Sequence, residues 1–457
     1  MNNIQRVHLM GIGGAGMSAL AKLLHAHGLE VTGCDLHEPH YDLDTIPFKI
    51  GHSREHIDEF KPDALILSSA VHHDNEEVKQ AERNGIKIFS RAQALSSLFN
   101  KYSGIGIAGA HGKTTTSSMT GLIFLRANFD PTIYVGANVP DIGSNAISGK
   151  GKYFIAELDE SDGSFELFHP EIAIITNADW DHVDHYPTRD DVINAFTRFV
   201  DGRKQDGTLI ICAEDEGTQK VLEKCDKSRG KIIRYGFGKN YDWGAYDIKF
   251  SHGGGTSCKI SHNGQFIGTL ELKISGEHNI LDSLAAISAA DLCGISFETS
   301  AEILKTFHGS ERRMQVKGET SNNILVMDDY AHHPSEIEAT LNAVKNIYPE
   351  RRIVVIYQPH RFSRTAQFAP QIAQALSIAD EIFLLPVFSA GEKELSHSSS
   401  DEIIKNAAKK ITQIKFDDAD EILKSELKAG DLFLTMGAGN VYELGEKFLH
   451  DRAGDLL

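Results

Sequence analysis

The sequence lacks the cysteine patterns of disulfide-rich domains and zinc ribbons. Its five cysteines are scattered and contain no C-x-x-C pair. This usage is typical of reduced thiols in a cytoplasm, so we assign the cysteines no chemistry. The chain also lacks an apolar leader with a cleavage site, and no window approaches the roughly 18 apolar residues of a membrane span. We therefore expect a soluble cytoplasmic protein without membrane insertion.

Positive charge is also scarce. The chain has 46 Lys and Arg residues against 64 Asp and Glu residues, which gives a formal net charge of -18. Nucleic acids and anionic membranes bind clustered Lys and Arg, so neither is expected as the main partner. Any anionic ligand must be held by local features of the chain.

The alternation of apolar strands and amphipathic helices predicts an α/β protein. A chain of 457 residues is too long for one core, and its patterns divide into three blocks. We predict a Rossmann-like domain over 1–100, a P-loop-type central domain over 101–310 and a Rossmann-like domain over 311–457. The central block includes a hairpin pattern near 245–275, which predicts some antiparallel strands.

A glycine-rich turn follows the first predicted strand. The segment "GIGGAG" fits G-x-G-x-x-G, and an acidic residue ends the next strand; the residues are Gly11, Gly13, Gly14, Gly16 and Asp35. Such a turn lets the backbone approach a diphosphate at a helix N-terminus. The pattern predicts a ligand with a diphosphate without specifying the nucleotide, and an NAD-dependent dehydrogenase is one alternative.

The segment "GIAGAHGKTTT", residues 106–116, resembles a phosphate loop but departs from the strict Walker pattern, because Ile107 stands where that pattern has glycine. The chemistry needs a glycine turn, a lysine for the β and γ phosphates and a hydroxyl for magnesium. Gly109, Gly112, Lys113 and Thr114 supply these groups in order. We predict an ATP site here.

Acidic residues follow two later strands of the same domain. The segment "FIAELDESD" contains Glu157, Asp159 and Glu160, and "NADWDHVDH" contains Asp181, His182 and Asp184. Side chains alternate along a strand, so Glu157 and Asp159 should share a face, and Glu160 should point to the opposite one if the strand runs that far. Because Mg²⁺ prefers hard oxygen ligands, these strand ends predict a metal site.

The third block has two polar clusters after predicted strands, "DDYAHHP" and "QPHRFSR". Arg361 and Arg364 are one helical turn apart if a helix begins here, so both could face one carboxylate or phosphate. The clusters predict that a second substrate enters between domains.

Six segments together resemble the Mur ligase family: "GAHGKTTT", "AELDESDGSF", "TNADWDHVDHY", "GEHNILDS", "DDYAHHPSEIEATL" and "YQPHRFSRT". The resemblance covers the whole chain. It implies ATP-dependent ligation of L-alanine to the lactyl carboxylate of UDP-N-acetylmuramate through an acyl phosphate, in peptidoglycan precursor synthesis. A second member of the family, which recycles a murein tripeptide, shares "HHP" but lacks "QPHR-x-x-R", and it remains the alternative within the family.

The resemblance also implies roles for single residues. The first glycine loop and Asp35 would bind the UDP substrate. The ATP site would comprise Gly109, Ala110, His111, Gly112, Lys113, Thr114, Thr115, Asn279, Arg313 and Asp329. Magnesium would bind Thr114, Glu157 and His182, and the amino acid would bind His332, Arg361 and Arg364. Lys113, Arg313 and His332 would be the catalytic residues, with His332 the candidate base for the amine.

Three positions depart from the family pattern. Ala110 replaces a usual threonine, which removes one hydroxyl from the phosphate loop. Asp282 replaces the second asparagine of "HNxxN", and the segment "NAFTRFV" has no lysine where sister enzymes carry a carbamylated one. We therefore expect no such modification.

Overall fold

The computed structural model describes residues 4–39, 41–43, 45–183, 185–251, 254–395 and 398–451. Asp184, proposed above for the acidic cluster, lies outside these residues. The described chain forms three separate sheets, each of which alternates with helices, so the predicted three-part α/β class is confirmed. Across the described ranges, no helix combines the length and the hydropathy that crossing a bilayer requires.

The first sheet consists of five parallel strands in the order β3-β2-β1-β4-β5. The order reverses between β1 and β4, and sheets of this kind bind ligands at that switch point. The strands are β1 (Arg6–Met10), β2 (Glu30–Asp35), β3 (Phe48–Ile50), β4 (Ala64–Leu67) and β5 (Lys87–Ser90). The helices are α1 (Ala15–Ala26), α2 (Arg54–Phe60), α3 (Glu76–Arg83) and α4 (Arg91–Phe99).

The second sheet has ten strands in the order β15-β14-β13-β12-β11-β10-β6-β9-β7-β8. Strand β6 lies between β9 and β10, and all three are parallel, so the segments that follow them meet at one edge. The strands are β6 (Ser103–Ala108), β7 (Thr132–Val139), β8 (Ser144–Ile147), β9 (Tyr153–Glu157), β10 (Ile172–Ile175), β11 (Thr208–Cys212), β12 (Ile232–Phe237), β13 (Trp243–Phe250), β14 (Thr256–His262) and β15 (Gln265–Leu272). The hairpins predicted near 245–275 are the antiparallel strands β13, β14 and β15.

Five helices accompany this sheet: α5 (Lys113–Arg126), α6 (Arg189–Asp201), α7 (Glu216–Lys224), α8 (Glu277–Leu292) and α9 (Phe297–Leu304). Helix α5 is buried along most of its length because its small polar residues face other elements of the domain. The loop between β6 and α5 is therefore fixed at both ends.

The third sheet has six strands in the order β16-β17-β21-β18-β19-β20, and only β16 is antiparallel to its neighbour. The strands are β16 (Gln315–Glu319), β17 (Leu325–Asp329), β18 (Ile353–Tyr357), β19 (Glu381–Leu384), β20 (Thr412–Gln413) and β21 (Leu432–Met436). The helices are α10 (Pro334–Ile347), α11 (Phe362–Leu376), α12 (Ser400–Lys405), α13 (Ala419–Glu426) and α14 (Tyr442–His450). Because β17 and β18 both flank β21, their polar ends lie at the same edge of the sheet.

Candidate active site

The loop predicted to bind phosphate joins β6 to the N-terminus of α5. Gly109 and Gly112 have φ angles of 151° and 78°, in the region that favours glycine. A Cβ atom on Gly109 would collide with Thr176 Oγ1, and one on Gly112 would lie 2.6 Å from Asp282 Oδ1. Both positions therefore need glycine, and the loop can present its backbone amides to an anion.

Lys113 is the first residue of α5, and its side chain turns back over the loop. Its Nζ donates to the carbonyl oxygens of Gly109 at 2.5 Å and Ala110 at 3.1 Å, and it lies 2.8 Å from Glu160 Oε2. Burial lowers the pKa of Lys113, but the charge of Glu160 more than offsets this effect and the pKa is raised. The lysine is therefore a fixed positive charge at the loop.

Thr114 and Glu157 form a pair of oxygen ligands beside the same loop. The Thr114 hydroxyl donates to Glu157 Oε1 at 3.0 Å, and the amide of Gly136 donates to Oε2 at 2.7 Å. Glu157 is the last residue of β9, which pairs with β6. A hydroxyl and a carboxylate in this arrangement are hard oxygen ligands, so the residues present fit a magnesium ion.

Glu160, one of the acidic residues of the segment "FIAELDESD", lies at the site although no ligand role is predicted for it. Strand β9 ends at Glu157, so Glu160 lies in the following loop and not on the opposite face of the strand. It contacts Lys113, and its Oε1 lies 3.4 Å from His182 Nε2. Burial lowers the pKa of His182, but the hydrogen bond to Glu160 more than offsets this and the pKa is raised. The dense acidic run after β9 was the available signal.

Glu336 connects the third domain to the phosphate loop. It lies in the first turn of α10 and accepts hydrogen bonds from the amides of His332 at 3.0 Å and His333 at 3.2 Å. Its Oε1 lies 3.1 Å from His111 Nδ1. Burial lowers the pKa of His111, but Glu336 and Asp179 raise it to about 10. The loop is thus tied to α10 by a charged contact, and the sequence signal for Glu336 is the capping pattern "HHPSE".

Two cavities meet at the phosphate loop. Cavity I has a volume of about 650 Å³ and cavity II a volume of about 560 Å³. Gly112, Thr114, Arg313 and Glu336 line both cavities. Of the other predicted residues, cavity I is lined by His111, Thr115, Asn279 and Asp329, and cavity II by Gly14, Gly16, Ala110, Lys113, Glu157, His182, His332, Arg361 and Arg364. The loop is therefore the shared wall between two binding spaces.

Cavity I has walls from two domains. Asn279 lies in α8 of the central domain, where its Nδ2 donates to the carbonyl oxygen of Ser275 at 2.7 Å. Asp329 ends β17 of the third domain and accepts the amides of Met314 at 2.7 Å and Ala331 at 2.8 Å. Burial raises the pKa of Asp329 to about 6. A ligand in cavity I would contact both domains.

In cavity II, the two predicted arginines contact different protein carboxylates. Arg364 is buried and binds both oxygens of Asp181, with Nη2 distances of 3.0 and 2.9 Å. Arg361 precedes α11 with a φ of 69°, and its Nη1 lies 3.3 Å from Glu392 Oε1. Arg364 therefore holds the central and third domains together, while Arg361 lies at the wall of cavity II.

His332 is held in one orientation. Its Nδ1 lies 3.0 Å from the carbonyl oxygen of Tyr330, so it donates there and leaves Nε2 as the acceptor. Burial lowers the pKa of His332 to about 3. The imidazole is therefore uncharged at neutral pH.

The glycine loop of the first domain is held by its own backbone and by Asp35. Gly11 has a φ of 79°, and the amide of Gly13 donates to Asp35 Oδ2 at 2.9 Å. The hydroxyl of Tyr134 in the central domain donates to the carbonyl oxygen of Gly16 at 3.1 Å. Gly14 and Gly16 line cavity II, whereas Gly11, Gly13 and Asp35 do not line it. In the phosphate loop, Gly109 likewise does not line cavity II.

The carboxyl group of Asp282 lies beside Gly112, and its protonation can be tested by measuring stability at two pH values. It is buried, accepts the Thr116 hydroxyl at 2.9 Å, and has a pKa raised by burial from 3.8 to about 7. Between pH 3.8 and about 7 the folded chain keeps a proton that the unfolded chain releases. The unfolding free energy therefore falls as pH rises through this range, and it stays low above pH 7. We expect Asp282→Asn to increase the unfolding free energy by about 2 kcal/mol at pH 8 and by much less at pH 4.

Thermal unfolding at the two pH values measures this effect. Asp291→Asn, an exposed change near the other end of α8, is the matched control and should have no pH-dependent effect. An equal gain from Asp282→Asn at both pH values would contradict the assignment of a buried, protonated carboxyl.

Three family models match successive parts of the chain: "Mur ligase family, catalytic domain" over 6–103, "Mur ligase middle domain" over 107–290 and "Mur ligase, glutamate ligase domain" over 312–439. The UDP-N-acetylmuramate–L-alanine ligase of Caldanaerobacter subterraneus subsp. tengcongensis is 38% identical over 460 residues, which cover 99% of this chain and 98% of its own. That of Dictyoglomus turgidum is 39% identical over 462 residues, covering 98% and 97%.

Solved structures agree with these sequence relatives. The UDP-N-acetylmuramate–alanine ligase of Thermotoga maritima has a TM-score of 0.82 at 27% identity, covering 99% of this chain and 100% of that one. A murein peptide ligase of Psychrobacter arcticus has a TM-score of 0.74 at 26% identity, covering 98% of each chain. The family indicated by the sequence motifs is thereby confirmed, and the chain belongs to the Mur ligase family.

Proposed function

We propose that the protein uses ATP to join L-alanine to the lactyl carboxylate of UDP-N-acetylmuramate, a step of peptidoglycan precursor synthesis. The main support for this function is the phosphate loop, which forms the wall shared by cavities I and II. A nucleotide in cavity I would extend its phosphates past Lys113 toward a carboxylate in cavity II. The full-length similarity to L-alanine ligases supports alanine as the amino acid over the recycled tripeptide.

The three domains divide the substrates among them, with proposed limits of 1–100, 101–310 and 311–457. The first domain binds the UDP moiety through Gly11, Gly13, Gly14, Gly16 and Asp35. The central domain binds ATP through the phosphate loop and Asn279, and Arg313 and Asp329 complete cavity I from the third domain. L-Alanine binds near His332, Arg361 and Arg364. A dehydrogenase would leave the phosphate loop without a role.

Magnesium is the proposed metal of this site. Thr114 and Glu157 would hold it, because their oxygens lie side by side at the loop, and His182 would lie near a second ion through its contact with Glu160. The metal would neutralise negative charge on the phosphates. Lys113 and Arg313 supply further positive charge from the protein.

The chemistry follows from the weakness of a carboxylate as an acyl donor. The carboxylate oxygen attacks the γ-phosphorus of ATP, ADP leaves, and an acyl phosphate forms. The uncharged amine of L-alanine then attacks the carbonyl carbon, and the tetrahedral intermediate expels phosphate as the amide forms. His332 Nε2 is the proposed proton acceptor, since its Nδ1 donates to Tyr330; its pKa of about 3 makes it a weak base, so this role requires that bound substrates raise that pKa. Closure of the domains would keep water from the acyl phosphate.

We also propose a cytoplasmic location. ATP and a UDP-linked sugar are intracellular substrates, and all five cysteines are free thiols.

One assay tests the proposed function. Phosphate release is measured with ATP, UDP-N-acetylmuramate and, in turn, L-alanine, glycine, L-serine or the tripeptide L-Ala-γ-D-Glu-meso-diaminopimelate. We expect release only with UDP-N-acetylmuramate present, and the highest kcat/KM with L-alanine. A tripeptide that outcompetes L-alanine, or release that does not depend on the UDP substrate, would overturn the proposal.

Arg361→Ala tests the proposed alanine site. The guanidinium lies in the wall of cavity II and does not line cavity I, so we expect the KM for L-alanine to rise at least about tenfold and the KM for ATP to change little. Steady-state kinetics with each substrate varied in turn measure both constants. Arg361→Lys, which keeps the charge but loses the bidentate geometry, should recover part of the loss. Equal increases in both KM values would count against this role.

A further inference from the structure

A second polar cluster lies in the first domain, beneath the glycine loop. It consists of His8 on β1, Cys34 on β2, His56 on α2 and Glu77 on α3. Each residue offers one ligand atom, and these four atoms all lie within 4.8 Å of one another. We propose that this cluster is a closed structural site for a zinc-class divalent cation.

The ligand chemistry is that of a structural zinc site. A thiolate, two imidazoles and a carboxylate would supply four ligands of the three types that zinc takes in proteins. All four residues are buried, with exposed fractions of 2% for His8, 0% for Cys34, 8% for His56 and 0% for Glu77. No side is open to substrate, so the site is structural and not catalytic.

Two distances within the cluster have the length of a tetrahedral edge. With zinc bonds of about 2.0–2.3 Å, neighbouring ligand atoms lie roughly 3.3–3.6 Å apart. Glu77 Oε2 lies 3.4 Å from Cys34 Sγ and 3.3 Å from His56 Nδ1. The other carboxylate oxygen, Glu77 Oε1, lies 2.7 Å from His8 Nε2, which is shorter than a tetrahedral edge. Glu77 therefore lies at the centre of the group and reaches every other member.

His8 is held between Thr32 and Glu77 with one ring nitrogen directed into the cluster. Its Nδ1 lies 2.8 Å from Thr32 Oγ1, a partner of the type that orients metal-binding histidines. Its Nε2 is buried and lies 2.7 Å from Glu77 Oε1. In the tautomer in which Nδ1 donates to Thr32 Oγ1, Nε2 and Glu77 Oε1 are both acceptors, and a metal ion between them would satisfy both atoms. A proton between His8 Nε2 and Glu77 Oε1 would bond only these two atoms, whereas a metal ion would also bind Cys34 and His56.

The site lies directly under the loop that is proposed to bind UDP. The carbonyl oxygen of Cys34 accepts hydrogen bonds from the amides of Gly11 at 2.8 Å and Ile12 at 3.1 Å. A metal bound at the Cys34 sulfur would fix β2 relative to β1, α2 and α3. It would therefore stabilise the first domain from its own interior, away from the phosphate loop.

Cobalt titration of the full-length protein tests the site. After treatment with a chelator, Co²⁺ is added and the thiolate-to-cobalt absorption is recorded, which reports a cysteine ligand and is blind to the magnesium ligands. We expect one equivalent of this signal, displaced by Zn²⁺. It should be lost in Cys34→Ser and weakened at least about tenfold in His56→Ala. Cys258→Ser changes another buried strand cysteine and should keep the full signal.

The wild-type protein alone can overturn the proposal, even if a variant fails to fold. X-ray absorption of the zinc-loaded protein should show one sulfur ligand at about 2.3 Å together with nitrogen and oxygen ligands. A zinc ion with only nitrogen and oxygen ligands would place it elsewhere, for example at His111, Asp179 and His333 beside the phosphate loop. That result, or a thiolate signal that persists in Cys34→Ser, would contradict the site.

Discussion

Lys113→Ala is expected to abolish turnover while the binding of UDP-N-acetylmuramate stays nearly unchanged. The ammonium is held against the carbonyl oxygens of Gly109 and Ala110, where the transferring phosphoryl group would pass. Most catalysis of phosphoryl transfer comes from positioning and charge stabilisation, so we expect kcat to fall about 10³-fold or more. In the proposed site the UDP substrate would be held by the glycine loop between β1 and α1, which this change does not touch.

Phosphate release measures the loss of turnover, and calorimetric titration measures the binding of the UDP substrate. Lys220→Ala is the matched control, because Lys220 forms an exposed ion pair with Glu216 on α7. It should leave both quantities unchanged. If Lys113→Ala also abolished binding of the UDP substrate, the two nucleotides would not occupy separate sites.

Glu157→Gln is expected to raise the magnesium requirement strongly. Glu157 is oriented by Thr114 and Gly136, and the substitution keeps an oxygen ligand but removes its charge. We expect the Mg²⁺ concentration for half-maximal rate to rise about 10–100-fold, and part of the lost rate to return at high Mg²⁺. The measurement is the rate of phosphate release across a magnesium series at saturating substrates.

Glu298→Gln is the control for this change, since Glu298 is exposed at the start of α9. Its magnesium dependence should match the wild type. A Glu157→Gln enzyme with reduced kcat and an unaltered magnesium dependence would show that Glu157 does not hold the metal.

The fold was predictable because local patterns carry it. Apolar strands followed by glycine turns and amphipathic helices predicted three α/β units. The grouping of Thr114 with Glu157 was also accessible, because parallel strands bring their ends to one edge of a sheet. These predictions depend on rules that act over short distances or on sheet geometry.

The remaining contacts of the site depend on the paths of loops and on how the domains pack, which cannot be predicted from a single sequence. Arg364 pairs with Asp181 across 183 positions, so spacing alone suggested a free guanidinium. The alternation of side chains along a strand does not apply to Glu160, because β9 ends at Glu157. Cys34 gave no metal pattern, since its proposed co-ligands come from three other elements and none lies within a short motif.

The central claim is that ATP activates the lactyl carboxylate before L-alanine attacks. The most direct test uses UDP-N-acetylmuramate labelled with oxygen-18 in that carboxylate, with mass analysis of the phosphate released on ligation. An acyl phosphate intermediate transfers one carboxylate oxygen to phosphate, so we predict one labelled oxygen in each phosphate formed. Phosphate without label, released as the L-alanine amide forms, would contradict the account.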